Sequence, residues 1–148
     1  MKRAMITLGV VLVGLWSWLA MSATAAADSL ISEAPADAYA YLIAPMDGAT
    51  ISNPVAVKFG LSGMGVAPAG VDKDNTGHHH LLVDLAELPD LTQSLPATDH
   101  IRHFGGGQTE TQLDLAPGEH TLQLLLGNYA HVPHDQPVLS EKITITVD

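Results

Sequence analysis

Histidine is the residue type in this chain whose spacing points most clearly to chemistry. His78 and His80 are two residues apart, so on a β-strand they would project from the same face with Cα atoms about 6.6 Å apart. Two imidazoles at this spacing can bind one metal ion through their ring nitrogens. The pair therefore predicts a metal site, and a polar strand edge is the alternative interpretation.

Two later segments bring further histidines to the same predicted site. His103 precedes the glycine run 105–107, and His131 and His134 lie in a proline-containing loop. In an immunoglobulin-like topology, the loops that contain these segments lie at the same end of the sandwich as His78. The predicted metal ligands are therefore His78, His80, His103, His131 and His134.

Two carboxylates could support such a site without binding the metal. Glu110 and Asp135 follow ligand segments closely, and a carboxylate can hold a ligand histidine in one tautomer. Glu110 could equally be a solvated strand residue. The chain has no cysteine, so imidazole ligands without thiolates indicate Cu(II) or Zn(II), and Cu(II) should bind more tightly.

Two other histidines are expected to have structural roles. His79 alternates with His78 and His80, so its side chain should point inward and pack or form a hydrogen bond there. His120 follows the turn Pro117-Gly118 at the start of the penultimate strand. This is the place of the corner tyrosine in immunoglobulin-like domains, at the opposite end from the predicted metal site.

The elements that position these residues are predicted to be short strands. Apolar and polar residues alternate with period two in several segments separated by turn residues, and no mature segment has a convincing helical period. The prediction is an all-β, immunoglobulin-like two-sheet sandwich of about seven antiparallel strands. Its expected core comprises Val55, Val57, Phe59, Leu81, Val83, Leu113, Leu122, Leu124, Ile143 and Ile145.

The first residues have the pattern of an export signal. Lys2 and Arg3 precede an apolar stretch and then a run of small residues that ends at Ala27. We predict a signal peptide over residues 1–27, a flexible leader over 28–38 and one domain over 39–148. Cleavage after Ala25 and a retained membrane anchor are the alternatives, although the apolar stretch is short for a span.

The net charge of the mature chain limits the kinds of partner that it is expected to bind. All 16 acidic residues but only four of the six basic ones follow residue 27, so the mature chain has a net charge of −12. Such a chain repels phosphate backbones and anionic membranes, which argues against nucleic acid as a partner. Export without cysteine fits a bacterial periplasm, where disulfides are permitted but not required.

Four motifs resemble an uncharacterised family of small secreted bacterial proteins, a domain of unknown function. They are residues 77–84 (GHHHLLVD), 103–110 (HFGGGQTE), 117–127 (PGEHTLQLLLG) and 131–135 (HVPHD). The resemblance extends from about Ile43 to Val147 and implies one exported domain without naming an activity. In architecture alone, the predicted sandwich is more distantly similar to periplasmic copper carriers.

The sequence favours a periplasmic copper- or zinc-binding module that acts in carriage, buffering or sensing. A recognition module that binds a peptide, glycan or envelope protein is the alternative, with histidines as polar or pH-sensitive contacts. A metal-dependent enzyme with Glu110 as base ranks last, because the chain contains no recognised catalytic motif.

Overall fold

The computed structural model describes residues 30–148, and this part of the chain is all-β. The predicted signal peptide lies outside the described residues, and within them no helix is long and apolar enough to cross a membrane. The strands are β1 (Tyr39–Ala44), β2 (Thr50–Ile51), β3 (Val55–Ser62), β4 (Gly65–Val66), β5 (Thr76–Val83), β6 (Ile101–His103), β7 (Glu110–Leu113), β8 (Gly118–Gly127) and β9 (Ile143–Val147).

These strands form two sheets. The smaller has the order β1-β3-β7, and the larger has the order β2-β9-β8-β5-β4, with β6 also paired to β5. The prediction of about seven antiparallel strands is corrected, because nine strands are described and the pairs β2–β9 and β4–β5 are parallel. The two extra strands have two residues each, too few for an alternating pattern to show in sequence.

The main core lies where residues of both sheets meet. All ten residues predicted for the core are buried there in one apolar cluster. They occupy alternate positions on β3, β5, β8 and β9, together with Leu113 on β7, as expected when one face of each strand is buried. The prediction of an all-β, sandwich-like fold is confirmed.

The larger sheet is also covered on its other face. Leu82 and Leu125 of this face form a second apolar cluster with Leu95 and Ile101. Leu95 belongs to the irregular segment 84–100, whose Leu95 N–H donates to the carbonyl oxygen of His131 at 2.9 Å. The central strand β5 is therefore buried on both faces from Gly77 to Val83.

The segment expected to be a flexible leader is attached to the domain where it is described. Asn128 Nδ2 donates to the Leu30 carbonyl at 2.6 Å and to Ser32 Oγ at 2.9 Å. The Ala34 N–H donates to Asp135 Oδ1 at 2.9 Å, and the Asp135 N–H donates to the Ser32 carbonyl at 3.0 Å. Residues 30–34 are thus hydrogen-bonded to the loop that follows β8.

Candidate metal centre

Successive side chains of β5 point to opposite faces of the sheet, so its three consecutive histidines are divided between the two faces. His79 points into the main core, where its ring lies 5.2 Å from that of Phe59. His78 and His80 point to the opposite face, with ring centroids 4.8 Å apart. The alternative interpretation of a polar strand edge is excluded, because β5 is paired on both sides and these two histidines are 0% and 1% exposed.

Two more imidazoles complete a cluster on this face. The pairing of β5 with β6 sets His80 opposite His103, whose ring lies 4.9 Å from that of His78. The ring of His131 lies 4.6 Å from that of His103 and 5.0 Å from that of His78. We call His78, His80, His103 and His131 the histidine cluster. Ligand atoms of His78, His80 and His103 lie within 4.8 Å of one another, so these three residues could hold a metal ion.

The two deepest members of the cluster have unused hydrogen-bonding capacity. Both ring nitrogens of His78 and both of His80 are buried without a hydrogen-bond partner. Leaving a buried polar atom unpaired costs about 1–3 kcal/mol, so a ligand that accepts these lone pairs would be favoured. His79 has the same two unpaired nitrogens, but it points into the main core and away from the other imidazoles. Burial, reinforced by the neighbouring imidazoles, lowers the pKa of His78 to about 4 and that of His80 to about 3. Both are therefore neutral at pH 7 and able to donate a lone pair to a metal.

Two glycines make room for the rings. A Cβ atom at Gly105 would lie 2.3 Å from Cε1 and 2.5 Å from Nε2 of His103. A Cβ atom at Gly127 would lie 2.7 Å from Cε1 of His80. Any larger residue at these two positions would displace a cluster imidazole. The glycine run was singled out in the sequence, whereas the role of Gly127 depends on a cross-strand approach that spacing alone does not reveal.

A buried asparagine fixes the position of His131. His131 has a φ of 65°, a left-handed conformation that non-glycine residues seldom adopt. Asn128 Oδ1 accepts hydrogen bonds from the N–H groups of Ala130 and Val132, and the Asn128 carbonyl accepts from the His131 N–H. Sequence reasoning missed Asn128. The dipeptide Gly127-Asn128 at the end of a strand is a turn signal, but it does not identify the residue that the turn presents.

The remaining predicted site residues lie elsewhere. His134 is buried, yet it lines a cleft of about 430 Å³ with Asp72 and Asp74 and is not part of the group formed by His78, His80 and His103. Asp135 accepts from the backbone of Ala34 and Gln136. Glu110 is exposed on β7 of the smaller sheet, opposite Lys58. Proximity in sequence to ligand segments did not bring these three side chains into the cluster.

His120 lies at the other end of β8, as predicted. The pairing of β8 with β5 sets His78 opposite Gly127, whereas His120 lies beyond the pair Val83–Leu122. Its Nδ1 lies 2.7 Å from Asp84 Oδ2 and its Nε2 lies 2.7 Å from the Ala116 carbonyl oxygen. The hydrogen bond to Asp84, followed by that to Ala116, raises the pKa of His120. The bond to a carbonyl four residues upstream is the kind made by a corner tyrosine.

Comparison with known proteins gives a family but no activity. Residues 57–148 match the family described as a domain of unknown function, DUF4399. The match covers more than half of the chain and includes every member of the histidine cluster, so the chain belongs to this family. No curated protein and no solved structure matches the chain.

Proposed function

We propose that this protein is an exported metal-binding module that takes up copper or zinc at the histidine cluster. The observation that carries the proposal is the convergence of neutral imidazoles whose deepest ring nitrogens lack any partner. A metal ion among them would accept the lone pairs that the protein leaves unused. His78, His80 and His103 would bind the ion, and the ring of His131 lies beside that of His103.

The exposure of the ligands supports a role in carriage, buffering or sensing. His78 and His80 form a buried floor on a strand paired along both edges, whereas His103 is exposed and His131 is partly exposed. An ion could therefore enter and leave past His103 and His131 while His78 and His80 stay fixed. Glu110, the predicted base of a metal enzyme, lies on the other sheet, which favours binding over metal-dependent hydrolysis.

The setting of the site is part of the same proposal. We infer an immunoglobulin-like sandwich, because the two sheets share one core and His120 makes the corner contact of that fold. The N-terminal pattern of basic, apolar and small residues supports export by a cleaved signal peptide to the periplasm. A periplasmic protein meets metal ions outside the cytosol, where carriage or buffering would take place.

Metal content and titration test the proposal. The protein is purified from the periplasm without an affinity tag, since a tag would add histidines, and its metal is measured by mass spectrometry. The metal-free protein is then titrated with Cu(II) and Zn(II) by calorimetry. We expect about one ion for each chain. Absence of stoichiometric uptake of either copper or zinc would reject the proposal and favour a module that recognises a peptide, glycan or envelope protein.

A further inference from the structure

We propose that the histidine cluster selects monovalent copper, Cu(I), over the divalent ions that imidazole ligands ordinarily suggest. This inference rests on the proposed function, because it concerns the charge of the ion that the same site accepts. Its basis is the juxtaposition of a buried imidazole floor with an absence of negative charge among the described side chains grouped at the site.

The cluster contains imidazoles and no carboxylate. Within residues 30–148, the group of metal-binding side chains consists of His78, His80 and His103. Besides burial, the neighbours that lower the pKa of His78 and His80 are themselves histidines. Both carboxylates predicted to support the site are engaged elsewhere, with Asp135 on the backbone of residues 34 and 136 and Glu110 opposite Lys58. A bound ion would therefore keep its full charge.

Burial makes that charge decisive. His78 and His80 are 0% and 1% exposed, and the covered face of the larger sheet continues into an apolar cluster of Leu82, Leu95 and Leu125. The free-energy cost of moving an ion from water into an apolar region rises with the square of its charge, so a divalent ion is penalised about four times as much as a monovalent one. On the side of the site formed by His78 and His80, neutral ligands with apolar surroundings thus favour the lower oxidation state, whereas His103 borders solvent.

The surroundings of the ligands favour the same ion. Imidazole by itself suits copper and zinc alike, so the ligand type does not choose the oxidation state. A histidine that binds a divalent ion ordinarily donates its second ring N–H to a carboxylate, a carbonyl oxygen or water. The second ring nitrogens of His78 and His80 have no such support, since none of their nitrogens has a hydrogen-bond partner.

Paired competition titrations test the inference. Tag-free protein is titrated with Cu(I) under anaerobic conditions with ascorbate against bathocuproine disulfonate, and with Cu(II) in air against nitrilotriacetate, at the same pH. We expect the Kd for Cu(I) to be lower by about tenfold or more. An equal or lower Kd for Cu(II) would overturn the inference and leave the proposed function standing, whereas failure to bind copper or zinc in any state would reject both.

A matched pair of variants tests the cause. His131→Asp and His131→Asn both remove one imidazole, both tolerate the left-handed backbone of this position, and they differ by a single negative charge. We expect the Kd for Cu(II) divided by the Kd for Cu(I) to be lower in His131→Asp than in His131→Asn. The added carboxylate would compensate the second positive charge of Cu(II). An equal ratio in the two variants would show that charge does not set the selectivity.

Discussion

The histidine cluster and the corner at His120 use the same side chain in opposite ways. At the corner, both ring nitrogens lie 2.7 Å from acceptor oxygens, of Asp84 and Ala116, so the imidazolium form satisfies both contacts. In the cluster, the ring nitrogens of His78 and His80 have no partner. A histidine whose partners are built into the fold stabilises the fold, whereas His78 and His80 combine unpaired nitrogens with neighbouring imidazoles that could share a ligand. His79 is also unpaired but faces the apolar core, so it is not expected to bind one.

The largest expected difference between the two regions is their response to acid in the metal-free protein. His78, His79 and His80 have pKa values lowered to about 4, 4 and 3 by burial. The unfolded chain binds their protons from pH 6.5 downward, so stability is complete above that pH and falls as pH decreases toward 4. Each histidine contributes up to about 1.4 kcal/mol for every pH unit.

Urea denaturation of metal-free protein between pH 7.5 and 5 measures this effect. His120 has the opposite sign, because its raised pKa stabilises the fold below pH 6.5 and that contribution is lost as pH rises through the folded-state pKa. The His120→Gln variant should therefore lose stability in acid as the wild type does, because it keeps His78, His79 and His80. A free energy of unfolding that does not change between pH 7 and 5 would contradict the burial of neutral histidines.

Removal of a cluster imidazole is expected to have the next largest effect. His80→Ala should raise the dissociation constant for copper or zinc by about 100-fold or more, because one coordinate bond and its fixed geometry are lost. His120→Ala is the matched control and should leave affinity nearly unchanged while lowering stability. Calorimetric titration of the two variants compares them, and equal losses of affinity would remove the distinction between the regions.

A variant of His134 tests which histidines belong to the metal site. It was predicted from sequence to be a ligand, but it lines a separate cleft with Asp72 and Asp74. We expect His134→Ala to weaken metal binding far less than His80→Ala. A comparable loss in the same titration would extend the ligand set beyond the cluster.

A smaller effect is expected from the glycine that makes room for His103. Gly105→Ala places a Cβ atom 2.3 Å from the His103 ring, so the ring must move and affinity should fall about tenfold. Gly106→Ala is the control, because its Cβ atom would meet only the flexible side chain of Gln108 at 3.0 Å or more. Competition titration with a colorimetric chelator distinguishes them, and equal affinities would mean that His103 is not held by this glycine.

The smallest expected effect lies at the corner. Asp84→Asn keeps an oxygen for the Thr121 N–H but removes the charge beside His120. The free energy of unfolding should fall by about 1 kcal/mol near neutral pH, since this partly exposed pair is screened by solvent. Metal affinity should be unchanged. Thermal and urea denaturation measure the loss of stability, and a parallel titration measures metal affinity. A lower affinity in Asp84→Asn would show that metal binding at the histidine cluster depends on the contacts of His120.

Sequence patterns predicted the parts of this molecule that depend on local periodicity. The alternation of Val55, Val57 and Phe59 identified the buried face of β3, and the His-x-His spacing placed His78 and His80 on one face of β5. These predictions succeed because the side-chain direction on a strand follows from residue parity alone.

The parts that depend on distant contacts could not be derived in this way. The covering of the second sheet face by Leu95 and Ile101 arises from an irregular segment without periodicity. The separation of His134 from His131 depends on the turn that Asn128 holds, because three residues of loop can take many directions. Side-chain placement in such loops is set by tertiary hydrogen bonds rather than by spacing.

The left-handed conformation of His131 has a consequence for protein engineering. A non-glycine residue with a φ of 65° costs on the order of 1 kcal/mol or more, and glycine would remove most of that strain. A stability-guided redesign would therefore select glycine at this position and score the change as an improvement. The redesigned protein would be more stable but would have lost an imidazole from the histidine cluster, so thermal screening alone is the wrong guide for this protein.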